Sequence, residues 1–174
     1  MRILKCYNTN MMKLIAVKNE DMDILENLAN HIWRECYTSL LGISQVEYMI
    51  ENFQSKTAFI SQIQNGYEYY FLERDRERVG YVGIKEEGNK LFLSKLYLKG
   101  SFHGKGLGQL ALSILVDIAK ERKVDNIYLT VNKGNVKGIN AYERFGFIKT
   151  DSIVTDIGNG FVMDDYVYTY NIVK

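Results

Sequence analysis

One stretch of the chain, residues 91–122, reads LFLSKLYLKGSFHGKGLGQLALSILVDIAKER. An apolar strand-like run leads into a loop with three alternating glycines, Gly104, Gly106 and Gly108, and a long helical pattern begins directly after it. Glycines let a backbone approach an anion closely, and the unpaired N–H groups at a helix start point toward such an anion. The helix dipole adds an attraction of a few tenths to about 1 kcal/mol. The stretch therefore predicts a phosphate-binding site, although a tight strand-to-helix turn would use the same glycines.

The charge around this loop narrows the choice of phosphate site. Residues 88–116 contain four lysines and neither Asp nor Glu, so positive charge is concentrated where a phosphate would bind. A Walker loop is excluded because Lys105 is followed by Gly106 rather than by Ser or Thr. A dinucleotide site fits the G-x-G-x-x-G/A spacing that ends at Ala111, but the next strand ends in Thr-Val-Asn, without the acidic residue that holds the ribose. A nucleotide-dependent oxidoreductase is therefore the weaker alternative.

Hydrophobic periodicity predicts the elements on either side of the loop. Helical spacing covers residues 21–40, a second helix from Ser44, and the segments 57–64, 107–122 and 135–145. Ser44 and Glu47 have the spacing of a capping box. Strand-like runs cover residues 12–18, 67–73, 79–85, 91–99, 127–131, 147–155 and 161–172, the last two forming a hairpin around residues 158–160.

This order predicts an α/β (α+β) fold, a mixed, mostly antiparallel sheet flanked by helices on both faces. The length of 174 residues suits one domain. We expect residues 12–174 to form that domain and residues 1–11 to be a loose N-terminal extension.

Composition excludes several functional classes. The chain has 22 Lys+Arg against 21 Asp+Glu, which does not suit a strongly basic nucleic-acid-binding domain. No apolar run approaches the roughly 20 residues of a membrane helix, and the first residues lack the apolar core of a signal peptide. Cys6 and Cys36 have neither metal-type nor redox spacing. We therefore expect a cytoplasmic protein without a metal site, a nucleic-acid partner or a membrane partner.

Two motifs together resemble the GCN5-related N-acetyltransferase (GNAT) family. The segment HGKGLG at 103–108 is similar to the family's Q/R-x-x-G-x-G/A signature, and it follows a hydrophobic strand, as in that family. The segment NKGNVKGINAYERFGF at 132–147 resembles the element N-x-x-A-x-x-F-Y-x-x-x-G-F. Both motifs have the family's order and separation, and the strand pattern fits from about residue 12 to the C-terminus. The departures are His103 for Gln or Arg, Gly138 for Ala and Ala141 for an aromatic residue; none removes a backbone donor.

The resemblance implies an acetyl-CoA-dependent N-acetyltransferase that transfers acetyl to a primary amine by direct attack on the thioester. The alternative is a non-catalytic coenzyme A-binding regulatory module. The family's coenzyme contacts map onto the backbone of two strand residues, the pyrophosphate loop and two residues of the second motif: Leu96, Leu98, His103, Gly104, Lys105, Gly106, Leu107, Gly108, Gln109, Asn135 and Tyr142. Tyr142 is also implied to be the catalytic general acid, since a phenol of pKa about 10 is protonated at neutral pH.

The acceptor side is less defined. The first two helices wall the acceptor site in this family, which implies Trp33 and Tyr37, although Trp33 on an apolar face suits the core equally well. The strand before the loop lacks the family's usual glutamate, so the proton acceptor is ordered water or a carboxylate elsewhere, such as Glu73 or Glu35. Glu73 is also a candidate acceptor contact.

The acidic residues of the last hairpin, Asp156, Asp164 and Asp165, lie in a region that often borders the acceptor. Asp165 and the HIWRECY segment at 31–37 resemble the PaiA-like branch, which acetylates polyamines. The expected acceptor is a small amine or polyamine, with a peptide amino group as the alternative, and exposed edge strands suggest a homodimer.

Overall fold

A computed structural model of the protein describes residues 7–8 and 12–173. The described strands form one eight-stranded sheet in the order β1-β2-β3-β4-β5-β6-β8-β7. The strands are β1 Tyr7–Asn8, β2 Lys13–Ala16, β3 Tyr67–Arg74, β4 Glu77–Glu87, β5 Lys90–Leu98, β6 Asn126–Asn132, β7 Ile148–Gly158 and β8 Phe161–Asn171. The helices are α1 Met22–Leu41, α2 Ile43–Phe53, α3 Lys56–Gln64, α4 Leu107–Glu121 and α5 Val136–Phe145.

The sheet is mixed and mostly antiparallel, as predicted. Among the described strands only β5 and β6 pair in parallel, and α4 makes the crossover that such a pair requires. β7 and β8 form the predicted hairpin and continue the sheet beyond β6. The predicted fold class is confirmed.

Apolar side chains project from both faces of the sheet, because successive residues of a strand point to opposite faces. Helices cover both of these apolar faces. On β3, Phe71 points toward α1 and α3, whereas Leu72 points into the core that lies against α4. The α4 side holds the larger core, where Leu112 and Leu115 are fully buried. α5 packs against that same core through Ile139 and Phe145.

The predicted capping box at Ser44 is wrong. α2 begins at Ile43 after Gly42, whose φ is +81°, and no side chain caps it. The Glu47 carboxylate instead accepts two hydrogen bonds from Arg34 of α1, at 2.7 and 2.8 Å. The Glu47 carboxylate, which the predicted capping box would use, is therefore engaged in an ion pair with Arg34 of another helix.

Part of the N-terminal prediction lies outside the described residues. Residues 1–6 and 9–11 are not described, and these include Cys6, so the predicted loose extension stays a prediction. Tyr7 and Asn8 pair with β2. Within the described part of the chain, none of the helices combines the length and hydropathy that crossing a bilayer demands.

Candidate active site

A gap between β5 and β6 divides the sheet. The two strands pair only from Lys90–Phe92 to Asn126–Tyr128, where the rings of Phe92 and Tyr128 stack 4.8 Å apart. Beyond that point β5 follows β4 and β6 follows β8, so their C-terminal halves diverge. A strand edge with unpaired backbone groups can accept an extended ligand as an added strand.

A β-bulge in β5 stands at the start of this gap. Leu93 pairs with Ile84 of β4 and Lys95 with Gly83, which leaves Ser94 as the extra residue. Bulges bend a strand and re-aim its side chains. Here the bulge places Lys95 on the face that α1 and α3 cover, although strict alternation would place it with Leu93 on the α4 face.

The glycine loop presents backbone donors at the wide end of the gap. Gly104 and Gly106 have φ values of +72° and +77°, which only glycine adopts readily. Gly106 precedes α4, no side chain caps the helix, and the Leu110 N–H bonds to the Gly106 carbonyl. The N–H groups of the first turn therefore have no acceptor within the helix. A Cβ at Gly104, Gly106 or Gly108 would meet no atom within 4 Å, so the space above the loop is open.

Two polar contacts hold the segment between β5 and α4. The Glu35 carboxylate of α1 accepts the Gly100 N–H at 2.9 Å. His103 Nε2 lies 3.0 Å from the Leu98 carbonyl, and since a carbonyl only accepts, that nitrogen carries the hydrogen. The His103 ring is thus turned back onto the end of β5, and Lys105 holds its ammonium 5.0 Å from the Phe102 ring centre.

α5 carries Asn135 and Tyr142 to the other side of the gap. Asn135 Oδ1 accepts the Gly138 N–H at 3.0 Å and so caps α5. A Cβ at Gly138 would lie 2.7 Å from Asn135 Nδ2, so a side chain at this position would require the Asn135 amide to shift. The Gln109 side chain donates to the Ala141 carbonyl at 2.8 Å and fixes α5 to α4. The Gln109 contact thus places α5, which carries Asn135 and Tyr142, beside the start of α4.

Tyr142 is held in an apolar setting. Its ring contacts Phe147 edge-on with centroids 5.7 Å apart, and its side chain packs against the core. Burial raises the pKa of Tyr142 to about 12. Burial raises the pKa of Tyr37 and of Tyr97, and the nearby Tyr142 hydroxyl adds to both shifts. A phenol that stays protonated at neutral pH therefore faces the gap.

An aromatic wall lies on the opposite face of the gap. Tyr37 of α1 and Tyr97 of β5 meet edge-on with centroids 5.7 Å apart, and the Asn135 side chain lies within hydrogen-bonding reach of the Tyr37 hydroxyl. Trp33 stacks behind Tyr37 at 4.6 Å, is 2% exposed, and donates its indole N–H to the Tyr81 hydroxyl. The prediction that Trp33 contacts the acceptor is therefore corrected: Trp33 supports Tyr37 from the core.

Glu73 is not part of this arrangement. It lies on β3, where its cross-strand neighbours are Lys13 of β2 and Arg78 of β4. β4 separates it from β5. The prediction of Glu73 as an acceptor contact is corrected, because the strand order puts a whole strand between it and the gap.

The three hairpin aspartates have different surroundings. Asp156 accepts the Gly158 N–H within the turn, and Asp164 forms an ion pair with Lys133. Asp165 is 7% exposed and pairs across the sheet with Asn132, the last residue of β6. Its Oδ1 is buried and has no hydrogen-bond partner among the described residues. Burial raises the pKa of the Asp165 carboxyl. Burial also raises the pKa of Tyr97, and the charge of Asp165 adds to that effect.

Lys95 and Tyr97 were missed by sequence reasoning. Lys95 is 7% exposed and donates to Gln62 at 3.0 Å; burial lowers its pKa to about 7. The only signal in the sequence is a lysine inside an apolar strand, and the bulge that re-aims it is not visible there. Tyr97 is one of 13 tyrosines in the chain, and the sequence does not distinguish it from the others. The part of the chain that the structure describes holds no cluster of three His, Cys, Asp or Glu side chains that could bind a metal ion.

Comparisons with known proteins agree with this geometry. The acetyltransferase (GNAT) family matches residues 26–147. A spermidine N(1)-acetyltransferase of Thermoplasma acidophilum is 28% identical over 150 residues, which cover 83% of this chain and 91% of that protein. A spermine/spermidine N(1)-acetyltransferase of Bacillus subtilis is 35% identical over 66 residues, 36% of this chain and 43% of that protein.

Solved structures share the fold. The PaiA N-acetyltransferase of Thermoplasma acidophilum, solved with coenzyme A, superposes with a TM-score of 0.78 at 22% identity, covering 92% of this chain and 98% of that one. The ribosomal-protein-S18-alanine N-acetyltransferase of Escherichia coli gives a TM-score of 0.69 at 18% identity, with 94% and 96% covered. The chain therefore belongs to the acetyltransferase (GNAT) family, and it is an N-acetyltransferase that uses acetyl-CoA.

Proposed function

We propose that the enzyme acetylates a primary amino group of a polyamine, and that Tyr142 protonates the coenzyme sulfur as it leaves. The observation that carries the proposal is the convergence of Tyr37, Tyr97, Tyr142 and Asp165 on one gap in the sheet. Aromatic faces and a buried carboxylate with an unused oxygen suit a primary ammonium group, which attracts both and offers three donors.

The coenzyme half of the reaction follows from the backbone. We place the pantetheine arm along the unpaired edge of β5 at Leu96 and Leu98, like an added strand. The pyrophosphate then lies on the open N–H groups at the start of α4, from Gly104 to Gln109, with the positive charge of Lys105 nearby. Asn135 contacts the coenzyme from the far side of the gap, and His103 keeps the loop in place through its bond to Leu98.

Tyr142 supplies the proton that the leaving group needs. Its raised pKa keeps the phenol protonated at neutral pH, so it can donate to a thiolate. Because Gln109 fixes α5 to α4, the phenol is held in one position relative to the pyrophosphate loop. Because this donor is already fixed next to the reacting sulfur, no free energy is lost in positioning it during the reaction.

The curated relatives support a polyamine acceptor. Two of them are named as spermidine or spermine acetyltransferases, and the first aligns over most of both chains. A relative named as a bS18-alanine N-acetyltransferase aligns over 53% of this chain at 26% identity, which keeps a peptide amino group as the competing acceptor.

An acceptor panel tests the proposal. Purified enzyme is given acetyl-CoA with spermidine, spermine or a peptide with an N-terminal alanine, and thiol release is followed alongside the product mass. We expect thiol release and a single added acetyl group with the polyamines, at a kcat/KM at least tenfold above that for the peptide. A preference for the peptide would overturn the polyamine assignment, and bound acetyl-CoA without transfer to any amine would support a regulatory module.

We also propose that the enzyme is a cytoplasmic homodimer. β7 ends the sheet with eleven residues, and its side chains Ile148 and Val154 are exposed. An open edge of this length favours pairing with a second copy. Light scattering should give twice the 20.2 kDa mass of the chain, and a single-chain mass at micromolar concentration would contradict the dimer.

A further inference from the structure

The transfer needs a group that takes a proton from the amine. An amine of pKa about 10 is less than about 0.1% neutral at pH 7, and only the neutral form attacks a thioester. β5, with the sequence KLFLSKLYL, has no carboxylate. Glu35 already accepts the Gly100 N–H, and Glu73 is separated from the gap by β4. None of the carboxylates that the sequence pointed to on α1 and β3 is therefore placed for this role.

Asp165 is placed for it. On β8, Met163 packs against the cluster of α1 and α2 that contains Trp33, whereas Tyr166 and Tyr168 pack into the core on the α4 side. Because side chains alternate along a strand, Asp165 shares the face of Met163, which is the face of the aromatic wall. Its cross-strand partner Asn132 is the last residue of β6, so one strand also lies between Asp165 and β5. The charge of Asp165 nevertheless acts on Tyr97 of β5, which places the carboxylate within reach of the gap across the end of β6.

The elements around Asp165 leave one oxygen without a partner. Thr130 of β6 gives the carboxylate a hydrogen bond, and Tyr97 of β5 lies within reach of its charge. The other charged groups that act on it are Asp164 on its own strand and Lys133 after β6, and these two pair with each other. A buried acceptor without a donor is costly, and an ammonium group that enters the gap can supply the missing donor.

We propose that Asp165 is the proton acceptor of the acetyl transfer. The carboxylate takes one proton from the ammonium, and the freed electron pair of the nitrogen forms a bond to the thioester carbonyl carbon. The carbon–sulfur bond then breaks with its electrons on sulfur, and Tyr142 gives the sulfur its proton. The second proton on the new amide nitrogen restores the tyrosine hydroxyl, and Asp165 releases its proton to solvent, so that one proton leaves per turnover. This role of Asp165 rests on the proposed role of Tyr142 as the proton donor, but it does not depend on which primary amine is the acceptor.

The surroundings of Asp165 suit a base. Burial raises the pKa of its carboxyl, which makes the carboxylate a better proton acceptor than an exposed aspartate. The Thr130 hydrogen bond and the charge of Lys133 act in the opposite direction, and Asp164 acts in the same direction as burial. Activity should rise as the pH rises through the pKa of this carboxyl.

The test compares Asp165→Asn with the matched variant Asp164→Asn, using the amine that the wild-type enzyme acetylates fastest. We expect kcat/KM of Asp165→Asn to fall at least about 100-fold at pH 7, within the usual range for losing a general base. The deficit should shrink as the pH approaches the pKa of the amine, where solvent supplies the neutral form. Asp164→Asn should stay within threefold of wild type, and both variants should bind acetyl-CoA normally.

A second variant changes the pKa of the Asp165 carboxyl without removing the carboxyl itself. Thr130→Val deletes a hydrogen bond that lowers the pKa of Asp165, so the acidic limb of the kcat/KM profile should move to higher pH. This result also decides the matter if Asp165→Asn does not fold. The inference is overturned if the acidic limb is unmoved, or if Asp165→Asn loses activity equally at every pH or only through KM. A wild-type enzyme that prefers a peptide would overturn only the polyamine assignment.

Discussion

The two sides of the gap between β5 and β6 are built from different parts of the chain. The proposed coenzyme side, formed by the backbone of Leu96 and Leu98 and by residues 100–109, offers mainly backbone N–H groups, and its side chains Lys105 and His103 lie against Phe102 and Leu98. The acceptor side, formed by Tyr37, Tyr97 and Asp165, offers side chains from α1, β5 and β8. Under the proposed mechanism, backbone conformation therefore controls coenzyme binding, whereas side-chain chemistry controls the acceptor and the proton transfers.

This difference has a practical consequence for substitutions. A side chain that forces the loop out of its left-handed positions should weaken acetyl-CoA binding and leave the chemistry of a bound complex unchanged. A substitution on the acceptor side should leave acetyl-CoA binding unchanged and should impair acceptor binding or the acetyl transfer. Tyr142 touches both sides, and its loss should have the largest effect.

Tyr142→Phe removes the phenolic hydroxyl and keeps the ring that contacts Phe147. We expect kcat to fall by about 100-fold or more, because proton transfer to the leaving group typically contributes 10²- to 10⁴-fold. Steady-state thiol release measures this, and calorimetry of acetyl-CoA binding serves as the control. A variant with normal kcat would remove Tyr142 from the proposed mechanism.

Gly106→Ala and Gly108→Ala separate backbone conformation from steric bulk. Neither Cβ meets an atom within 4 Å, but only Gly106 has a positive φ, at +77°. A non-glycine residue there costs about 1–2 kcal/mol, which corresponds to roughly a tenfold rise in the Kd of acetyl-CoA if the loop relaxes. Gly108→Ala should change the Kd less than threefold. Equal effects of the two variants would show that side-chain volume, rather than conformation, limits binding.

Tyr37→Leu tests the aromatic wall. Loss of a cation–π contact of about 0.5–2 kcal/mol should raise the KM of a polyamine about 2- to 30-fold and leave the Kd of acetyl-CoA unchanged. Tyr37→Phe is the matched control, since it keeps the ring and its stacking on Trp33, and its KM should stay close to that of wild type. Initial rates at varied polyamine concentration give both values, and an unchanged KM in Tyr37→Leu would exclude the wall from acceptor binding.

Lys95→Met should alter the pH dependence of stability. Burial lowers the pKa of Lys95 from its ordinary 10.5 to about 7, so between these values the unfolded chain binds the extra proton. Wild-type stability must then rise with pH relative to Lys95→Met, by at most about 1.4 kcal/mol per pH unit. Urea denaturation of both proteins at pH 7, 8 and 9 measures the difference. A constant difference would mean that Lys95 keeps an ordinary pKa.

The arrangement of the segments on the proposed coenzyme side could be predicted from the sequence because they follow one another along the chain. The strand, the glycines and α4 follow one another within residues 90–121, so a single stretch determines their arrangement. Asn135 and Tyr142 belong to a second continuous motif that caps and forms α5.

The acceptor side could be predicted only in part, because its residues meet through the order of the strands. Glu73 looked suitable by residue type, yet β4 lies between it and the gap. The side chain of Lys95 lies on the opposite face of the sheet from the one that strict alternation predicts, because of a β-bulge. No residue type in the strand sequence indicates that bulge. In the sequence, Asp165 differs from Asp164 only through its resemblance to the PaiA-like branch, and it is the structure that shows Asp165 to be buried and Asp164 to be paired with Lys133.

Calorimetric titration of acetyl-CoA into Gly106→Ala and Asp165→Asn measures whether the two sides of the gap act separately. We expect the Kd to rise about tenfold for Gly106→Ala and to equal that of wild type for Asp165→Asn. A rise in the Kd for Asp165→Asn as large as that for Gly106→Ala would contradict the separation.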